Sequence, residues 1–284
     1  MPSARSMFAA ARRCLSDIEA LALPRACLGC ERPMPEPGRE GCCELCRHRL
    51  RAIAPPVCPR CGQPVDPWSL RLAADADRAS GGADGPAAAA RPPRGAGRDP
   101  GAARVTPCAF CRDWPAELAW AVSGTWLDEG PARNLVHALK YGGWRVAAGP
   151  MADCIRAAAA GRLARLDALV PVPLARTRLR ERGHNQAAVL ARALGRSLGV
   201  RVLEHVLRRT RETRTQTRLP PADRWRNVAG AFAAEGPPLA GLAVAVVDDV
   251  LTTGATLGSA TTALARLGPA SIGAVTFARA LVPA

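Results

Sequence analysis

Residues 244–256 read VAVVDDVLTTGAT. Val244–Val247 is an unbroken apolar run, the pattern of a strand covered on both faces. It runs straight into two adjacent carboxylates, Asp248 and Asp249, and then into small and hydroxylic residues: Thr252, Thr253, Gly254, Ala255 and Thr256. A helical pattern, TLGSATTALARLG, follows. A loop of small residues opening a helix exposes several backbone N–H groups, and the helix dipole adds positive potential there. Gly254 lets an anion approach the backbone. The stretch is neither a GxxxxGK[ST] phosphate loop nor a GxGxxG dinucleotide fingerprint. Its acids precede the loop, and carboxylates accept hydrogen bonds from vicinal hydroxyls and hold hydrated Mg²⁺. A ligand with a phosphate at one end and a diol nearby, such as a ribose 5-phosphate, fits that order.

From about residue 113 to the C-terminus, strand and helix patterns alternate, which predicts a parallel sheet flanked by helices in an α/β domain. AELAWAVSGTWLDEG reads as strand and turn. PARNLVHALKYGGW reads as a helix with Pro131 at its first position, Leu135, Val136 and Leu139 on its apolar face, and Gly142–Gly143 as its stop. MADCIRAAAAGRLARL is a second helix, DALVPVPL a buried strand, and RTRLRERGHNQ a polar, arginine-rich loop. AAVLARALGRSLG is a helix ended by Gly199, VRVLEHVLRRT a strand, and residues 211–232 a long polar loop followed by a short strand. LAVAVVDDV is the central strand and SIGAVTFARA the last. Ligands of open α/β sheets sit beyond the carboxyl ends of the strands. Two loops have that position: 252–256, and the loop after DALVPVPL with Arg176, Arg178, Arg180, Arg182, Gly183 and Asn185.

The N-terminal half is organised by cysteine. Four CxxC pairs are present: Cys27/Cys30, Cys43/Cys46, Cys58/Cys61 and Cys108/Cys111. Each such turn presents two thiolates on one side of a tight loop, and two turns complete a tetrahedral Zn²⁺ site. Pairing neighbours in order gives two Cys₄ sites, Cys27, Cys30, Cys43, Cys46 and Cys58, Cys61, Cys108, Cys111; an interleaved pairing is the alternative. Cys42 could replace Cys43, but the two-residue gap to Cys46 favours Cys43. Cys14, Cys42 and Cys154 are left as ordinary thiols. Gly29 and Gly62 suit knuckle turns at positive φ. Four thiolates leave no open position for substrate, so the sites read as structural, and no thioredoxin-like βαβ pattern supports a redox role. The ribbon region spans 25–112, interrupted at about 65–107 by an Ala/Gly/Pro/Arg-rich segment too poor in large apolar residues to offset its ordering entropy. Residues 1–24 read as a short amphipathic helix, with no secretory signal. No run of some 18 apolar residues suggests a membrane span. Cysteines kept for metal rather than disulfides suggest the cytoplasm.

The chain has 284 residues and a formal net charge of +15, carried almost entirely by arginine. That favours an anionic partner, although an Ala/Arg-rich composition alone produces a basic chain. Aromatics make up 4%. Trp68, Trp114, Trp120, Trp126, Trp144 and Trp225 are read mostly as core residues. Tyr141, the one tyrosine, could cover a ligand, though packing is the favoured role; Lys140 beside it lies outside the two main loops, and His137 caps or packs on its helix.

VVDDVLTTGAT resembles the phosphoribosyl pyrophosphate (PRPP) motif of type I phosphoribosyltransferases. With the cysteine pairs, LVHALKYGG, VPVPLARTRLRERGHNQA, TQTRLPPADRWRNVAGAF and VDDVLTTGATL in order, nearly the whole chain resembles the ComF family, competence-associated, GntX-like proteins with a double zinc ribbon. His184 departs from the Phe or Tyr common there. The resemblance implies a type I phosphoribosyltransferase fold, with Asp248 and Asp249 on the ribose hydroxyls directly or through Mg²⁺. It also implies Thr252, Thr253, Gly254, Ala255 and Thr256 on the 5-phosphate, and Arg176, Arg182 and Gly183 facing pyrophosphate. The long loop with Arg209, Thr210, Gln216 and Arg226 would close over the site. Membership implies a role in natural transformation, alongside the competence machinery. The acceptor stays open, since no general base or base-recognition motif stands out. A non-catalytic single-stranded-DNA-binding factor on the same fold is the alternative, and a PRPP-sensing regulator a third reading without a helix-turn-helix to support it.

Overall fold

The computed structural model describes residues 26–34, 41–66, 108–212 and 221–280. The helix expected over 1–24, Cys14, Trp68, Gln216 and nearly all of the 65–107 segment lie outside the described residues.

Five strands form one parallel sheet: β1 (Leu118–Leu127), β2 (Ala168–Pro171), β3 (Arg201–Val202), β6 (Ala243–Leu251) and β7 (Ser271–Ala280), in the order β1-β7-β6-β2-β3. Short antiparallel strands β4 (Leu207–Arg209) and β5 (Phe232–Ala234) pair apart from it. The helices are α1 (Glu44–His48), α2 (Pro131–Lys140), α3 (Ala148–Leu163), α4 (Arg176–Arg182), α5 (Gln186–Leu198), α6 (Pro221–Val228) and α7 (Ala255–Leu264).

β6 is central, as its apolar run predicts, and its residues alternate between two cores. Ala245 and Val247 face the core built with Leu135, Leu139, Ile155, Leu190 and Leu194 of α2, α3 and α5. Val244 and Val246 face the core built with Leu257 and Leu264 of α7 and the β4–β5 pair. Both faces are covered, the usual state of a parallel sheet. After β2 the chain moves outward to β3; after β6 it moves the opposite way to β7. The reversal leaves a crevice between the carboxyl ends of β2 and β6, where Pro171 is level with Val247, and open α/β sheets bind ligands at such a point.

Four expectations need correction. Residues 176–182 form a helix rather than a loop: the Glu212 carboxylate accepts from Thr177 N (3.2 Å) and Oγ1 (2.7 Å) at its start, and Gly183 ends it. VRVLEHVLRRT is two strands in different sheets, and residues 221–228 of the expected long loop are helical. At the Cys27–Cys30 turn the positive φ belongs to Glu31 (62°), not Gly29; at the Cys58–Cys61 turn Gly62 has it (68°). Gly29 instead answers to space, since a Cβ there would lie 3.0 Å from Cys46.

On β7, Gly273 lies opposite Trp120, whose indole covers the position a Cβ would occupy. Gly273→Ala is expected to cost about 1–3 kcal/mol by overpacking, read from urea unfolding. Combining it with Trp120→Leu should cost less than the two single changes added together.

Candidate functional site

Asp248 and Asp249 follow the apolar run of β6, and because they are adjacent they address opposite faces. Asp249, 4% exposed, points to the α2 and α5 side. There it pairs with Lys140 Nζ, the last residue of α2, and faces Gln186 Nε2 at 3.5 Å, the first residue of α5. Asp248 is half-buried, accepts from the Asp249 backbone N–H (2.8 Å), and is close enough to Arg209 on β4 for each to act on the other's charge. Burial pushes the Asp248 carboxyl well above the ordinary range, and the Asp249 charge pushes the same way. Burial also acts against Asp249, but the Lys140 ammonium outweighs it and holds that carboxylate below its usual value. Burial alone would lower Lys140; Asp249, and then Asp248, outweigh it and raise it. The pair is therefore asymmetric: Lys140 favours the ionised form of Asp249, whereas burial and the neighbouring charge disfavour that of Asp248.

Lys140 is the chain's single lysine. It belongs to the site, contrary to its peripheral place in the sequence reading. Its neighbour Tyr141 does not pack inward: it is 65% exposed, with the Arg182 guanidinium 5.0 Å from its ring centre. Arg182 also donates to Gln186 Oε1 (3.1 Å), so it reaches Asp249 through one residue. Arg176 sits at the other end of α4, about 9 Å away along the helix axis, and is exposed. His184 is buried as an aromatic would be, but its ring spans two main-chain carbonyls, Nδ1 to Arg182 O (2.9 Å) and Nε2 to Leu139 O (2.7 Å). It thereby joins the Gly183 turn to the end of α2.

Thr252–Thr256 lead from β6 into α7. Gly254 is the N-cap with φ 84°, a conformation costly for other residues. The first turn of α7 carries no acid and its N-cap glycine offers no side-chain acceptor, although Thr253 Oγ1 accepts from the Ala255 N–H (3.4 Å); the positive end of the helix suits an anion. Trp114 closes the loop from behind: its indole Nε1 donates to Thr253 O (3.1 Å), and a Cβ on Gly254 would lie 2.5 Å from its ring. Trp114 and Trp120 are buried as expected, whereas Trp144 is 57% exposed. Arg209 and Arg226 lie on β4 and α6 rather than in a loop.

The cysteine pairs assemble in sequence order. In each of the two tetrads, Cys27, Cys30, Cys43, Cys46 and Cys58, Cys61, Cys108, Cys111, the Sγ atoms all lie within 4.8 Å of one another. Tetrahedral Zn²⁺ with bonds near 2.3 Å spaces sulfurs by about 3.8 Å; Cys30–Cys43 is 3.9 Å, Cys58–Cys111 3.9 Å and Cys108–Cys111 3.8 Å. Backbone N–H groups of Gly29 (3.3 Å) and Cys43 (3.2 Å) point at Cys27 Sγ. Burial opposes that thiolate, but these donors outweigh it and bring the group to about 6. Cys42 stays outside the tetrad, and burial pushes its thiol up to about 12. The donor sets fit Zn²⁺. No helix among the described residues is long and apolar enough to cross a membrane.

Lys140→Met should destabilise the fold by about 3–5 kcal/mol near neutral pH, since it strands a buried carboxylate. Asp249, with its lowered folded value, contributes above the unfolded carboxylate value of about 3.9, and that contribution fades as pH falls through the folded value. Lys140, with its raised folded value, contributes below about 10.4 and loses this as pH rises through its folded value. The wild-type-to-variant gap should thus shrink at both ends, which urea unfolding at a series of pH values checks. A gap independent of pH would mean that packing, not charge, had been lost.

Comparison with known proteins agrees with this architecture. Residues 18–77 match the double zinc ribbon domain and residues 180–282 the phosphoribosyl transferase domain. Cys108 and Cys111, which complete the second tetrad, lie beyond the first match. Competence protein F of Haemophilus influenzae is 39% identical over 116 residues, 40% of this chain and 51% of that protein, about half its length. DNA utilization protein YhgH of Escherichia coli is 28% identical over 258 residues, covering 89% and 96% of the two chains. Its Salmonella typhimurium counterpart is 29% identical over 257 residues with the same coverage. With both domain matches in order, two cysteine tetrads before a parallel sheet, and relatives aligned almost end to end, the chain has a type I phosphoribosyltransferase fold with an N-terminal double zinc ribbon, and these findings support its resemblance to the ComF family.

Proposed function

We propose that the protein binds PRPP with Mg²⁺ at the β2/β6 crevice and acts there as a phosphoribosyltransferase-like protein supporting DNA uptake or processing in the cytoplasm. One observation carries the reading: the paired carboxylates, the chain's only lysine and an anion-receiving helix start meet at the reversal of strand order. The 252–256 loop and the first turn of α7 take the 5-phosphate. The carboxylates of Asp248 and Asp249 accept the ribose hydroxyls. Lys140 keeps Asp249 ionised, so an acceptor is always present. Arg182, half-buried at the end of α4, offers a planar set of donors toward pyrophosphate. Arg176, at the far end, meets it only if α4 shifts.

The donor set also fits Mg²⁺, which is usually held by one or two carboxylates together with its substrate's phosphates. Asp248 and Asp249 would hold it, and its chemistry is to neutralise charge on the departing pyrophosphate. Bond loosening at ribose C1 calls mainly for positioning and charge stabilisation, which these residues supply without a general base. The names of the relatives, a competence protein and DNA utilization proteins, support the wider role.

Calorimetric titration of PRPP with Mg²⁺ into the zinc-loaded protein should show saturable binding. Asp248→Asn/Asp249→Asn should weaken it at least about 100-fold, or roughly 2.7 kcal/mol. Equal affinity in the two proteins would remove the ribose-phosphate reading.

The second reading, binding of single-stranded DNA, is favoured by the exposed aromatics. Tyr141 and Trp144 are both open to solvent. Arg145 follows directly and lines a 510 Å³ groove with Arg47, Arg192 and Arg196. Stacking surfaces beside guanidinium groups are what single strands use. Tyr141→Ala and Trp144→Ala should each cost about 1–3 kcal/mol of oligonucleotide affinity, read by fluorescence anisotropy at fixed salt. Loss of affinity on raising salt, with no effect of either substitution, would mean charge alone.

A further inference from the structure

The second cysteine tetrad and the 252–256 loop are joined through one residue. Cys111 closes the tetrad, and its carbonyl accepts from the Trp114 backbone N–H (3.1 Å). The Trp114 indole then donates to Thr253 O and lies against Gly254, where a side chain would collide with the ring. Pro115 continues the contact, and a Cβ on Gly258 in α7 would lie 3.0 Å from its Cδ. Arg60, inside the Cys58–Cys61 turn, ties the other half of the tetrad to the same segment. Its guanidinium donates to Cys111 O (2.9 Å), Trp114 O (3.2 Å) and Pro115 O (2.8 Å). Both cysteine turns therefore grip the 111–115 segment, and that segment fixes the carbonyl and the glycine on which the loop's shape depends.

We propose that Trp114 is a positioning residue that couples zinc in the second tetrad to the phosphate loop. Metal holding Cys58, Cys61, Cys108 and Cys111 in one place seats the indole, and the indole holds Thr253 and Gly254 at the start of α7 in the shape that would receive an anion. Loss of the metal frees the 108–111 turn, the indole loses its seat, and the loop relaxes although no cysteine lies in the ligand site. The ligand arm of this inference rests on the ribose-phosphate reading above. The structural arm, the order of the loop, does not.

The test compares wild type, Trp114→Phe, Cys108→Ser and the double variant, by hydrogen exchange of the 253–257 amides and by PRPP·Mg²⁺ titration. Phe keeps a ring at the position and removes the donor to Thr253. Each single change should speed loop exchange at least about tenfold and weaken PRPP, while amides of β6 and β7 keep their protection. The double variant should be no worse than the more affected single, because both changes cut the same connection. Multiplying effects in the double variant, or a loop unchanged in Trp114→Phe, would overturn the proposal. If wild type does not bind PRPP yet the exchange pattern appears, the coupling stands and the ribose-phosphate reading fails. If Cys108→Ser also exposes β6 and β7, zinc-loaded Trp114→Phe decides alone: fast loop exchange supports the coupling and wild-type exchange refutes it.

Discussion

A carboxylate removed from water at the end of a buried strand needs a counter-charge, and in this protein Lys140 supplies it. Without Lys140, burial would push Asp249 toward its neutral form, and the site would lose the main support of its ionised acceptor. Much of one face of the molecule serves to deliver that ammonium. α2 brings it, anchored in the core by Leu135 and Leu139. Asn134 on the same helix donates to Gly29 O (2.9 Å) in the first cysteine turn. His184 then links the carbonyl next to Lys140 with the turn after α4. The first ribbon is thus part of the support of a carboxylate it never touches.

The other face is arranged in parallel. Cys58, Cys61 and Cys111 share a core with α7 and the β4–β5 pair, as Cys27, Cys42 and Cys46 share one with α2, α3 and α5. Arg279 near the end of β7 is buried, donates to Cys61 O and to Gln63 Oε1 (2.6 Å), and lies over Phe110. One ribbon therefore packs on the side that presents Lys140 and the other on the side that presents the phosphate loop. With so few aromatics, the chain builds its sheet core mainly from Val, Leu and Ala, and the cysteine turns pack against it on both sides.

The sequence carried the fold where burial dominates. Val244–Val247 is apolar because both faces of β6 are covered, and the CxxC spacing is dictated by the metal it would hold. It was silent where a few hydrogen bonds decide. α4 reads RTRLRER, has no apolar stripe, and is helical because Glu212 satisfies its start and Gly183 its end, the first of these far away in the chain. Lys140 was obscured because a basic residue in the last turn of a helix already has an explanation in the helix dipole. The informative signal was compositional: a chain that uses arginine everywhere else has lysine once, beside its one tyrosine. Gln186 and Trp114 gave no such signal, since an N-terminal glutamine and a buried tryptophan are ordinary features until the partners are known.

The charge distribution within the site follows from the same constraint. A basic protein attracts anions, yet the centre of this crevice holds two carboxylates, which would repel a phosphorylated ligand if both were ionised. The structure reduces that conflict on each side separately. Lys140 cancels Asp249, and burial inclines Asp248 to hold its proton, while Arg182 and Arg209 face the crevice from α4 and β4. Lys140 on one side of the acids and Arg209 on the other offset their charge, which suits the approach of a phosphate. A cation, or hydroxyl groups donating to Asp248, favours its ionised form and draws the proton off. In the proposed reading the group that needs the second negative charge also favours its formation, and the asymmetry between the acids depends on their being adjacent on a strand and facing opposite cores.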